Sequence, residues 1–145
     1  MSASNNKLML TFKIMRVIAV VCWLSIIWGI RGLSQDPTVV WVLGFAPDFF
    51  AAVALFFDAI DRTARSRGFE VIQARSNWLI VSVGVCAQLF VGELLQEYVF
   101  WGSFDWWDVA AHVVGVGVSS AIMAVLFSYA PNATKNSTPD WAVRG

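Results

Sequence analysis

Four long apolar runs, each bounded by charged or turn-forming residues, set the pattern of this 145-residue chain. A transmembrane helix needs roughly 20 mostly apolar residues to cross a hydrocarbon core of ~30 Å. Windows at about 14–32, 38–57, 78–100 and 107–130 meet that requirement. The pattern predicts an all-α polytopic membrane protein, a bundle of four transmembrane helices forming one domain over 1–145. Residues 131–145, beginning PNATKNSTPD, are expected to be a disordered cytoplasmic tail. The first run follows Lys7, Lys13 and Arg16 in the manner of a secretory signal. No small-residue cleavage site follows it, so it is expected to be a retained span.

Composition agrees with the pattern: 58% of residues are hydrophobic and 14% charged, with a mean hydropathy of +0.65. The formal net charge of zero hides a strong asymmetry. The connector 58–77 carries Arg62, Arg65, Arg67 and Arg75, and basic residues in short loops mark the cytoplasmic side. Four spans then place Lys7, Lys13, Arg16, Lys135 and Arg144 on that side too, leaving Arg31 alone outside. Both termini are therefore expected in the cytoplasm. Asp36, Glu93, Glu97, Asp105 and Asp108 fall at the opposite end. Cys22 and Cys86 lie in apolar surroundings and read as packing residues. No Gly-rich phosphate loop, nucleic-acid module or cofactor motif stands out, so no cofactor and no nucleic-acid partner are expected.

The chemistry concentrates in the last two spans. Positions three and four apart share a helix face, and Asp105, Asp108, His112, Gly115 and Ser119 follow that spacing. In the preceding span Ser82, Cys86, Glu93 and Glu97 share a face, with Gln96 on its shoulder. A short connector makes the two spans antiparallel neighbours. Glu93 and His112 each lie seven residues from the boundary at Phe100 and Asp105, so they are expected at one depth, ~10 Å in. The expected result is a polar cleft bounded by Glu93, Gln96 and Glu97 on one side and Asp105, Asp108 and His112 on the other. Asp48 would form its floor, with Pro47 either kinking the second span or starting a helix there. Ionisable groups at membrane depth are costly and mark a pathway or a site by default; polar pairs that only tie helices together are the alternative. Aromatic residues at 98–107 read as an interfacial belt, available for ligand contact.

Glu93-Leu-Leu-Gln96, then Phe104-Asp105-Trp106-Trp107-Asp108, then His112 and Gly115 resemble the signature of the VanZ-like family of small bacterial integral membrane proteins. That family's pattern is Glu-x-x-Gln, an Asp-x-x-Asp pair, then Asn and Gly. The likeness covers 93–115; Gly102 and Ser103 stand where a basic residue is common, and His112 where Asn is usual. The resemblance implies a multi-pass protein of the bacterial cytoplasmic membrane whose motif faces the envelope. It also implies a link to antibiotic resistance, through a founding member tied to low-level teicoplanin resistance.

Combined with the cleft, this favours a binding or accessory protein for an envelope lipid, a lipid-linked envelope precursor or an amphiphilic antibiotic, with membrane lipid as its constant partner. A membrane enzyme is the alternative, with Asp108 and His112 as an acid/base pair or Glu93, Asp108 and His112 as metal ligands. A proton-coupled transporter using Asp48, Glu93 and His112 is the third, and would need a homodimer to enclose a path.

Overall fold

The computed structural model describes residues 3–30, 33, 35–99 and 104–129. The expected tail at 131–145, Arg31, and the belt residues Phe100 and Trp101 lie outside the described residues. The described residues form five α-helices in chain order: α1 (Ala3–Ser25), α2 (Pro37–Arg67), α3 (Phe69–Gln73), α4 (Arg75–Tyr98) and α5 (Trp106–Tyr129). A π-helical turn, Ile26–Ile30, continues α1. Helices α1, α2, α4 and α5 are each long and apolar enough to cross a membrane.

Helix α2 is the axis of the bundle, packing against α1, α4 and α5. At 31 residues it is ~46 Å long, half as long again as a hydrocarbon core is thick. Its start is built locally: Asp36 Oδ1 accepts from the backbone N–H of Thr38 (2.8 Å) and Val39 (3.2 Å), and Pro37 occupies the first turn. This satisfies donors that a helix start leaves open. Pro47 lies inside the continuous helix and is buried. Of the two readings of Pro47, inside the second span or at a helix start, the structure shows the first: α2 begins ten positions earlier. Proline has no N–H, so the Leu43 carbonyl loses its donor one turn on. The helix stops at Gly68, whose φ of +93° is strained for any residue with a Cβ.

The core is concentrated at the arginine-rich end. Phe12, Phe56, Phe57, Ile60, Ile72 and Met123 are fully buried there, and Phe12 stacks on Phe57 with ring centroids 6.1 Å apart. The connector 58–77, read from the sequence as a topology signal, is also part of the folded bundle. It extends α2 to Arg67, and α3 folds Phe69 and Ile72 under the bundle. Asn77 Nδ2 donates to the Val71 carbonyl at 2.6 Å and ties α3 to α4. Arg16 on α1 reaches Asp58 on α2 at 2.6 Å and lies 3.9 Å from Asp61. Arg62 and Arg65 pair with the same two aspartates one turn along α2. Asp61 is 2% exposed, so the arginines around it offset the cost of burying its charge.

Candidate polar site at the acid-rich end

At the other end the helices stand apart around a cavity of about 520 Å³. Three elements supply its acids: Asp48 from α2, Glu93 from α4, and Asp105 and Asp108 from the start of α5. Gln96 also lines it, one turn beyond Glu93. Its apolar walls come from Trp23 on α1, Ile27 in the π turn, Trp41 and Phe45 on α2, and Trp107 on α5. Trp41 and Trp107 meet edge to face with centroids 5.8 Å apart, and Phe45 stacks on Trp41 at 5.9 Å.

Close helix packing carries the α5 residues to this place. The expected stripe of α5 does face inward: His112, Gly115 and Ser119 are buried, while Val113 and Val125 are exposed. Val116 is buried in the core as well. Gly115 is where α5 crosses α2 most tightly: a Cβ there would sit 2.6 Å from the Phe49 carbonyl oxygen and 2.9 Å from Ala52 Cβ. Ser119 donates to the Gly115 carbonyl at 2.8 Å, which satisfies its hydroxyl within its own helix. Ser82 and Ser120 bond across α4 and α5 at 2.9 Å. Asp105 has two tasks, lining the cavity and accepting the Trp107 N–H at 2.9 Å where α5 starts.

Beside the cavity, Asp48, Glu93 and His112 converge: one donor atom from each lies within 4.8 Å of the others. His112 Nε2 is 3.6 Å from Asp48 Oδ1, longer than a hydrogen bond. Glu93 is 6% exposed and His112 5%. Glu93 Oε2 and His112 Nδ1 are buried without a hydrogen-bond partner among the described residues.

The structure thus brings together six of the seven site residues expected from the sequence. Glu97 is the exception: it is exposed and does not line the cavity, being turned about 100° round α4 from Gln96. The expected metal set is also altered. In place of Asp108, Asp48 on α2 stands with Glu93 and His112. The spacing Trp41, Gly44, Asp48 on one face of α2 signals Trp41 in the sequence. No local signal marks Trp23, which is brought in by the packing of α1 on α2.

Comparison with protein-family models, with curated proteins and with solved structures finds no match for this chain. The functional reading therefore rests on the site alone.

Proposed function

We propose that the chain is a binding or accessory protein of the bacterial cytoplasmic membrane, with both termini in the cytoplasm and the acid-rich end facing the envelope. Its cavity takes the head of an amphiphile: an envelope lipid, a lipid-linked precursor or an amphiphilic antibiotic. The observation that carries this is the cavity itself, about 520 Å³ with four carboxyl residues and three tryptophans in its lining. That volume lies in the range of small-molecule sites, which pair apolar walls with a few placed polar groups. The charge of the lining narrows the ligand. An anionic head would face several carboxyl groups, with no lysine or arginine among the described lining residues, whereas an amine-bearing head is attracted by the acids and by the faces of Trp41 and Trp107. The apolar part of such a ligand would lie along Trp23 and Ile27. A VanZ-like affiliation is in keeping with this assignment and stands on the motif between residues 93 and 115.

A membrane enzyme is the second reading, favoured by the buried His112 beside Asp48. No nucleophile is evident among the described residues: the Ser119 hydroxyl is already bonded to its own helix and lies two turns deeper than His112.

Native mass spectrometry of the full chain released from detergent tests the binding function. An amine-bearing amphiphile is expected to remain bound to the parent and to be lost from a Trp41→Ala, Trp107→Ala variant. A parent that carries no amphiphile, or a variant that retains it fully, would refute the proposal.

A further inference from the structure

The geometry points to a divalent transition-metal site formed by Asp48, Glu93 and His112, one ligand from each of α2, α4 and α5. This goes beyond the amphiphile pocket and does not depend on it. The pocket needs the tryptophan walls, whereas an ion needs only these three donors.

Two independent observations support the site. The first is convergence: donor atoms from three different helices lie within 4.8 Å of one another. The 3.6 Å between His112 Nε2 and Asp48 Oδ1 is too long for a hydrogen bond but close to the edge of a tetrahedron around an ion at ~2.0–2.2 Å from its ligands. Side-chain rotation of about an ångström would bring the third donor into range. The second observation is that Glu93, more than nine-tenths buried, lines the cavity and keeps one carboxylate oxygen without a partner. Buried polar atoms are nearly always satisfied, and an orphaned one calls for an explanation such as an ion.

The donor set selects the kind of ion. Two carboxylates and one imidazole suit a divalent ion of the Mn²⁺ to Zn²⁺ series, because imidazole is a poor ligand for Mg²⁺ and Ca²⁺. No thiolate is at hand to favour softer ions: Cys22 and Cys86 do not belong to the cluster. Two carboxylates balance the charge of the ion, so binding removes the repulsion between Asp48 and Glu93 that burial intensifies. The ion would also clamp α2, α4 and α5 together at the end where their apolar packing is thinnest. Gln96 and Asp108 stand beside it in the cavity lining, open to a water or a ligand head completing the coordination.

Mn²⁺ is the probe, titrated by electron paramagnetic resonance into the full-length protein purified in a non-ionic detergent after chelator treatment. One equivalent per chain is expected, displaced by Zn²⁺, with a ¹⁴N coupling from a bound imidazole in the spin-echo spectrum. Glu93→Gln and His112→Gln should each weaken binding at least about tenfold, while Glu97→Gln, outside the cluster, should leave it unchanged. Zn²⁺ should raise the thermal midpoint of the parent but not of His112→Gln, as expected for a ligand that binds only the folded state. If a variant does not fold, the ¹⁴N coupling in the parent decides. Absence of saturable binding, or saturable Mn²⁺ without ¹⁴N coupling, would overturn the site.

Discussion

At the scale of single residues, Gly115 shows how far the site depends on backbone approach. Its place in the stripe is legible from spacing, yet the spacing does not say why glycine stands there. The reason is the Phe49 carbonyl, which occupies the position a Cβ would take. Gly115→Ala must push α5 away from α2, and overpacking of this kind costs about 1–3 kcal/mol. His112 sits one turn away and would move with the backbone. The expected outcome is a lower thermal midpoint in detergent for Gly115→Ala, with no such change for Gly117→Ala, where a Cβ meets open space. Equal midpoints for the two variants would mean that the crossing is looser than its geometry indicates. Asp61 makes the opposite point. Sequence sorts it with the charges of the arginine-rich end, but its burial among Arg16 and Arg65 depends on α1 and α2 lying side by side.

At the scale of elements, helix type and number follow from the apolar runs, while helix ends and partners do not. Helix α1 begins at Ala3, eleven positions before the expected start of its span, and α2 extends ten positions past its expected end. Both extensions are polar enough to leave hydrocarbon but carry Met9, Phe12, Ile60 and Ala64 at helical spacing, and these bury against one another. A window that scores hydropathy misses an amphipathic turn, because the charged face cancels the apolar one. The pairing of α4 with α5 is expected from their short connector and Asp48 of the second span from its place at the cleft floor; the close packing of α2 on both α4 and α5 is what the structure adds. A cysteine pair tests this arrangement. With Cys22 and Cys86 replaced, Asp48→Cys with His112→Cys, and Glu93→Cys with His112→Cys, should both crosslink through a short bifunctional reagent. Val83→Cys with Val113→Cys, two exposed positions, should not. Crosslinking of the exposed pair alone would show that α2 does not reach the polar faces.

At the scale of the whole molecule, the two ends differ in what holds them. One end is closed by aromatic packing, α3 and the arginine–aspartate network; the other is open around its acids and tryptophans. The basic residues predict which end lies in the cytoplasm. A cysteine introduced in the Arg62–Arg75 segment should be shielded from a membrane-impermeant thiol reagent in intact cells, and one at Ser103 should be labelled. The reverse pattern would place the cavity in the cytoplasm and end the case for an envelope ligand.

The sequence by itself determined four apolar helices and the asymmetry of charge, because both are one-dimensional properties of the chain. It also determined the inward stripe of α5 and the membership of Asp48, Gln96, Glu93 and His112 in one polar region, since helical spacing and depth can be counted along the residues. Only the tertiary structure decided that Asp48, and not Asp108, stands with Glu93 and His112, that Glu97 lies outside, and that Trp23 forms a wall. Those outcomes depend on how closely and at what height separate helices cross. Such crossings are set by contacts like Gly115 against Phe49, between residues 66 positions apart in the chain.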